Sequence, residues 1–262
     1  MSALSAEDPW NPERYARFAA ERRLPFDDLS APLRPLSGGR ALDLGCGDGA
    51  LTAELHARLG ARETVGVDSS TAMLEKAAAR AGGGLRFVLG DAGTHADGPW
   101  DLVFSNAALH WVEDHEALLP RLAALLAPGG QLAIQVPCND LHPSHALARA
   151  VAQEAPFRQA LGGWARESPV LAPERCAALL WSLGLEARRV RLEVYGHELA
   201  SRDEVVEWVR GTTLTDYQRR LPPDLWPAFL DRYRARLAAA LPDQRPFLYT
   251  FRRLLLWGRR PG

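Results

Sequence analysis

The segment Leu42-Asp43-Leu44-Gly45-Cys46-Gly47-Asp48-Gly49 stands between a short apolar run and a helical one. Glycines there let a backbone close on a ligand, and the helix N-terminus beyond them attracts an anion. Asp68 ends the next apolar run, 19 residues after Gly49, where an acid takes both hydroxyls of a ribose. Two more polar groups follow apolar runs, in Gly90-Asp91-Ala92 and Ser105-Asn106-Ala107-Ala108. Asp91 is placed to accept a bond from an adenine amino group. Asn106 borders the crevice where ligands sit in open α/β sheets. The four features in this order point to a nucleotide-type ligand.

Gly45-x-Gly47-x-x-Ala50 satisfies the loose dinucleotide pattern. Charge argues against that reading. A pyrophosphate at the helix N-terminus would lie near Asp43 and Asp48, and like charges at ~4 Å repel by about 4 kcal/mol at intermediate dielectric. S-adenosylmethionine carries an ammonium, a sulfonium and one carboxylate, and no phosphate. Asp43 attracts the ammonium and the helix N-terminus takes the carboxylate. Cys46 has acidic neighbours, which raise a thiol's pKa, so it is expected as a small side chain beside the ligand rather than a nucleophile. A NAD-dependent oxidoreductase and a non-catalytic binding protein stay open as alternatives.

The elements that must position these groups alternate. Arg40 to Leu44, Thr64 to Val67, Leu85 to Leu89, Asp101 to Ser105 and Gln131 to Val136 read as strands. Ala50 to Leu59, Ser70 to Arg80 and Glu113 to Leu126 read as helices between them. Strands alternating with helices imply right-handed βαβ units and a parallel sheet. Before them, Asn11-Pro12 reads as a helix start, with Tyr15, Phe18 and Ala19 on one face. After them, Pro143 to Glu154, Pro173 to Leu183 and Pro223 to Leu241 read as helices. Ser201 to Val209 reads as a helix with a Ser201–Glu204 capping box. Glu186 to Tyr195 places Ala187, Val190, Leu192 and Val194 on the inner side of a strand, and Leu248 to Trp257 is a final strand.

The 262 residues are 47% hydrophobic and 24% charged, the composition of a folded globular chain. A net charge of -1 disfavours a general nucleic-acid binder. Lys76 is the only lysine, so an anion site here must use arginine forks. Cys46, Cys138 and Cys176 stand far apart, which supports neither a disulfide framework nor a thiolate metal site. No apolar run approaches 18 residues and the first ten lack a signal pattern. A cytoplasmic protein, as a monomer or weak oligomer, is expected.

The chain resembles class I S-adenosylmethionine-dependent methyltransferases. Longer segments resemble trans-aconitate 2-methyltransferases: Trp10-Asn11-Pro12-x-x-Tyr15-x-x-Phe18-x-x-Glu21-Arg22, Gly66-Val67-Asp68-Ser69-Ser70-x-Ala72-Met73-Leu74, Ser105-Asn106-Ala107-Ala108-Leu109-His110-Trp111, Gln135-Val136-Pro137-x-Asn139, Pro143-Ser144-His145 and Phe251-Arg252-Arg253-Leu254. The resemblance implies a Rossmann-like, seven-stranded, mainly parallel α/β sheet with helices on both faces and its last strand antiparallel. It implies one domain, residues 1–262, with a cofactor-binding core over 37–136 and a helical substrate cap over the C-terminal strand edge from 1–36, 137–172 and 201–246. It implies S-adenosyl-L-methionine on Asp43, Gly45, Cys46, Gly47, Asp68, Ser69, Met73, Asp91, Ala92 and Asn106. A small carboxylic acid, methylated to its ester, would meet Trp10, Tyr15, Arg22, Gln135, Asn139, His145 and one of Arg252 and Arg253. Leu24 and Thr215 stand where the family leads one to expect arginines, so another small carboxylate or a hydroxylated metabolite stays open as substrate.

A carboxylate nucleophile is already ionised at neutral pH, its reference pKa being near ~4. No catalytic acid or base is therefore expected. His110, His115, His142 and His145 form no set completed by a carboxylate or cysteine at metal-ligand spacing. No metal is expected; Asp114 reads as a helix N-terminal acid, His145 as a donor to substrate and His142 as exposed.

Overall fold

The computed structural model describes residues 19–262, with side chains from residue 23 onward. Trp10, Tyr15, the Asn11-Pro12 start and the side chain of Arg22 lie outside the described residues. The described chain runs α1 (Ala19–Ser30), β1 (Arg40–Leu44), α2 (Ala50–Leu59), β2 (Glu63–Asp68), α3 (Thr71–Ala77), β3 (Leu85–Leu89), β4 (Trp100–Asn106), α4 (His115–Ala124) and β5 (Leu126–Pro137). It continues with α5 (Pro143–Ala152), α6 (Phe157–Ala160), α7 (Pro173–Ser182), β6 (Glu186–Leu199), α8 (Glu204–Arg210), α9 (Thr213–Arg220), α10 (Trp226–Ala240) and β7 (Phe247–Arg259).

The seven strands lie in the order β3-β2-β1-β4-β5-β7-β6. Pairings β1–β2, β1–β4, β2–β3 and β4–β5 are parallel, and β5–β7 is antiparallel. The sheet is thus mostly parallel, as the alternation requires. The chain builds outward from β1 to β3 and then returns to β4 on the other side of β1. This places a topological switch point at the ends of β1 and β4, where ligands sit in such sheets.

β1 and β4 are buried along nearly their whole length, as expected of parallel strands covered on both faces. One core cluster joins Phe26 and Leu29 of α1, Leu55 and Leu59 of α2, Ala41, Leu102, Phe104 and Ala133 of the sheet, and Leu255 and Trp257 of β7. Fully burying side chains of this size contributes about 1.5–3 kcal/mol each. The Phe26 ring meets Phe104 edge-on, with centroids 5.9 Å apart. Gly60 closes α2 with φ 62, and its N–H bonds the Ala57 and His56 carbonyls, a left-handed cap that favours glycine.

The chain divides into two compact units. Among the described residues the larger holds 19–137, 169–193 and 253–262; the smaller holds 138–168 and 194–252. In the smaller unit α5 packs on α10 and α8. Tyr217 and Phe229 stack there, with centroids 5.1 Å apart.

Four expectations from sequence need correction. β5 begins at Leu126 rather than Gln131, because Trp100 pairs Leu126 before the register shifts to Leu102↔Gln131; Ala127 to Gly130 bulge between. Ser201 and Glu204 form no capping box. Ser201 Oγ accepts from Asp203 N at 3.3 Å and Glu204 Oε2 accepts from Ala200 N at 3.0 Å, so the tie sits before the helix. α9 was not anticipated, since only Leu214 and Tyr217, three residues apart, mark its buried face with Thr213. In β6 the inner side is Tyr195, His197 and Leu199, while Leu192 and Val194 are 42% and 61% exposed. β6 ends the sheet, so only one neighbouring strand constrains its first half.

Candidate active site

In the larger unit β1 runs straight into the glycine loop. Gly45 and Gly47 adopt φ 80 and 57, and both Gly45 N and Cys46 N donate to Val67 O at 2.7 and 3.0 Å. Two backbone bonds therefore tie the loop to β2. A Cβ on Gly45 would collide with the Cβ of Ala108, so only glycine lets the segment after β4 approach this loop.

Asp43, one residue before the end of β1, is 4% exposed. Thr52 Oγ1 donates to its Oδ2 at 2.6 Å. Burial raises the carboxyl to about 7; the Thr52 bond pulls down and the nearby Asp68 charge pushes up. A cation would restore the ionised form. Asp68 is bound at both oxygens: Gly47 N donates to Oδ2 at 2.8 Å and Ser70 N to Oδ1 at 2.9 Å. Each oxygen keeps a further lone pair, which is what two ribose hydroxyls need. Asp48 is held by Arg80, whose guanidinium donates to Asp48 O at 3.0 Å and lies 3.8 Å from its carboxylate. Three acids thus ring the loop, an arrangement suited to a cationic adenosyl ligand and unsuited to a pyrophosphate.

Cys46 is buried, and burial first, then the charges of Asp43 and Asp68, push its thiol far above its usual range. It is no nucleophile. Ser69 is exposed beside Asp68, and Met73 is 4% exposed on α3, whose cap Ser70 accepts from Met73 N at 3.3 Å. Asp91 is exposed in the turn after β3. Its carbonyl accepts from Thr94 and His95, and Arg121 braces the same turn through Ala92 O and His95 O at 3.2 and 2.8 Å. Asn106 ends β4 directly opposite Gln135 of β5, and Ala107 N donates to Gln135 O at 2.9 Å. Asp114 caps α4, accepting from Ala117 N at 3.1 Å.

Of the remaining site candidates with described side chains, Asn139, His145 and Arg252 lie in the smaller unit and Gln135 and Arg253 in the larger. Asn139, 3% exposed, accepts from Arg252 N at 3.1 Å through Oδ1 and donates to Tyr249 OH at 3.4 Å. Ser144 Oγ gathers His142 Nδ1 at 2.9 Å, His145 Nδ1 at 2.9 Å and Tyr249 OH at 3.0 Å. Ser144 N also donates to His142 Nδ1 at 3.1 Å, so that nitrogen is an acceptor. His142 is therefore the N-cap of α5 rather than an exposed residue. One proton assignment satisfies the whole set: Tyr249 and His145 donate to Ser144 Oγ, and Ser144 donates to His142. His145 then carries its proton on Nδ1 and offers the lone pair of Nε2, so it faces outward as an acceptor and not as the donor expected from sequence.

His145 is 7% exposed. Burial, then the charges of Arg166, His142 and Arg149, lower it to about 3. Arg149 lies one helical turn beyond His145 and bonds Asp140 O at 2.8 Å; Arg166 meets Asp216 at 3.0 Å. Arg252 is half-buried, and burial, then the Arg252 charge, lowers His142, whereas Arg253 is 5% exposed. Ser144, Tyr249, Arg149 and Arg166 were missed from sequence. The spacing of Arg149 from His145 on a predicted helix, and of Tyr249 from Phe251 on a predicted strand, were the available signals.

A family described as a methyltransferase domain matches residues 41–130. The trans-aconitate 2-methyltransferase of Deinococcus radiodurans is 43% identical over 96% of this chain and 98% of its own length. The YcgJ protein of Bacillus subtilis shares the fold with a TM-score of 0.58 at 18% identity, over 93% of this chain and 99% of that one. The Haemonchus contortus phosphoethanolamine N-methyltransferase 2, solved with S-adenosyl-L-methionine, gives a TM-score of 0.53 at 17% identity over 93% of this chain. This chain spans 53% of that enzyme's length. The acid-ringed loop had already set the dinucleotide reading aside; with these relatives, the chain belongs to the trans-aconitate 2-methyltransferase family of S-adenosylmethionine-dependent methyltransferases.

Proposed function

We propose that this protein methylates a carboxylate of trans-aconitate, the compound named for its relatives, or of a closely similar small polycarboxylic acid. The reading is carried by the 43% identity to a trans-aconitate 2-methyltransferase along nearly the whole of both chains. Bound S-adenosylmethionine supplies a methyl group on a cationic sulfur, and the C–O bond forms from a carboxylate lone pair as the C–S pair returns to sulfur. Asp68 holds the ribose hydroxyls, Asp43 the ammonium, and the exposed Asp91 the adenine edge, with Gly45, Cys46, Gly47, Ser69, Met73 and Ala92 lining the donor.

Because the nucleophile is already ionised, no residue is assigned as acid or base. Alignment of the partners supplies the rate, and positioning alone is worth about 7–11 kcal/mol. In the smaller unit Arg252, beside Asn139 and His142, binds a carboxylate, and His145, Arg22, Trp10 and Tyr15 complete the recognition of the acid. Leu24, 58% exposed, and Thr215, bonded to Arg210 O at 3.1 Å, stand where arginines are expected. They favour a second reading, a less acidic carboxylate. We place the protein in the cytoplasm, as a monomer or weak oligomer; no helix among the described residues is long and apolar enough to cross a membrane.

Incubation with methyl-labelled donor and a panel of di- and tricarboxylates tests the assignment. Label recovered as a base-labile ester, with trans-aconitate the best acceptor, is expected. Label on a hydroxyl or an amine, or none on any acid, overturns it.

A further inference from the structure

Asn106 and Gln135 are register partners on the neighbouring parallel strands β4 and β5. Partners in such a pair leave the sheet on the same face. Gln135 is 0% exposed, and neither its Oε1 nor its Nε2 has a hydrogen-bond partner among the described residues. Oδ1 of Asn106 is buried and unpartnered as well. Native proteins keep few buried polar atoms without a partner, because leaving one unpaired is costly. The flanking Ile134 and Val136 are apolar and buried, so Leu at 135 would pack without this cost. Polarity at this position must answer to something other than the fold.

The location says what. Ala107 N bonds Gln135 O, and the next residue, Ala108, is the one that a side chain on Gly45 would strike. The two carboxamides therefore stand at the strand ends beside the donor loop. Their unpaired atoms are two oxygens and one N–H₂ group. A cation satisfies the oxygens; an anion satisfies the nitrogen. Methyl transfer to an acid brings together that combination, a sulfonium and a carboxylate.

We propose that Asn106 and Gln135 bracket the transfer. The inference rests on the carboxyl-methylating reading. Asn106 Oδ1 and Gln135 Oε1 face the cationic sulfur and its methyl group, and Gln135 Nε2 donates to the attacking carboxylate. Shielded from water, these contacts are stronger than they would be at the surface. No proton moves, and the pair acts by holding the oxygen, carbon and sulfur in line.

The test uses the full chain with Gln135→Leu and Asn106→Ala, trans-aconitate as acceptor and S-adenosylmethionine as donor. Gln135→Leu should melt at a higher temperature without ligand, since two unpaired atoms are gone. It should bind donor more weakly than wild type by calorimetry, since Oε1 is lost, and lose about tenfold or more in kcat/KM, with KM for the acid raised. Asn106→Ala should shrink the donor-induced rise in melting temperature. Unchanged kcat/KM, or a lower melting temperature, in Gln135→Leu overturns the bracket. So does an unchanged donor-induced rise in Asn106→Ala. If wild type binds donor and methylates no acid, the carboxyl reading fails, while the melting measurements still judge Asn106.

Discussion

Gly47 N donates to Oδ2 of Asp68 at 2.8 Å, so the acid that ends β2 also shapes the glycine loop after β1. The same carboxylate is bonded by Ser70 N at 2.9 Å, next to the start of α3. One side chain thus fixes three backbone segments and presents its remaining lone pairs outward.

Asp68→Ala removes both functions. Hydrogen bonds to a charged group contribute about 1.5–3 kcal/mol, so calorimetry should find donor affinity reduced by roughly tenfold or more. Asp68→Asn, which keeps one acceptor, should fall between. Wild-type donor affinity in the alanine variant would exclude Asp68 from the donor site.

Asp43 makes the ligand-free protein sensitive to pH. Its folded value of about 7 lies above the ~3.9 of an unfolded aspartate. The unfolded chain therefore releases this proton first. The contribution of Asp43 to stability is greatest below pH ~4, falls as pH rises, and levels off above the folded value. At 1.36 kcal/mol per unit the span is on the order of a few kcal/mol. Asp43→Asn keeps an acceptor for Thr52 and should flatten this part of the curve. Denaturant melts between pH 4 and pH 8 on both proteins decide it, and equal slopes would refute the assignment.

The donor loop was legible in the sequence because everything that shapes it is local or lies at the next strand end. Gly45, Gly47, Asp68 and the bounds of β1 and α2 follow from glycine punctuation between apolar runs. The Ser144 hub was not legible. Tyr249 stands 105 residues away from Ser144, and no local pattern announces that a strand phenol will meet a helix-cap hydroxyl. The phase of β6 was missed for a related reason. Alternation identifies two faces, and Val190, Leu192 and Val194 are the more apolar one, whereas Tyr195, His197 and Leu199 are the buried residues.

His145 should not govern turnover near neutrality. Burial first, then the charges of Arg166 and Arg149 with the neighbouring His142, hold it to about 3, so it stays neutral throughout pH 6–8. With a carboxylate acceptor and saturating donor, kcat should be flat over that range. His145→Asn should raise KM for the acid and leave the profile flat. A limb near pH 7 that disappears in this variant would identify a hydroxyl or amine acceptor instead.

Arg252 bonds its surroundings through backbone, Arg252 N to Asn139 Oδ1 at 3.1 Å and Arg252 O from Cys138 N at 2.9 Å. Its guanidinium makes no ion pair among the described residues, while Arg149 and Arg166 are matched to Asp140 and Asp216. Arg252→Gln should therefore raise KM for a tricarboxylate about tenfold or more, a charge-assisted fork being stronger than a neutral bond. Arg252→Lys should recover part of the loss. An unchanged KM in the glutamine variant would remove Arg252 from substrate recognition.

Gly45 and Ala108 set how closely the segment after β4 can approach the donor loop. Gly45→Ala introduces two separate penalties. Its Cβ collides with that of Ala108, and φ 80 is a conformation that side chains disfavour by roughly 1–2 kcal/mol. The single variant should melt lower and bind donor poorly. Ala108→Gly removes the collision and leaves the backbone penalty. The double variant should therefore recover part of the lost stability, with an interaction energy of about 0.5–3 kcal/mol in a double-mutant cycle. Full recovery would mean that the collision alone made glycine necessary. No recovery would mean that the left-handed backbone did, and that the contact with Ala108 is incidental to the loop's shape.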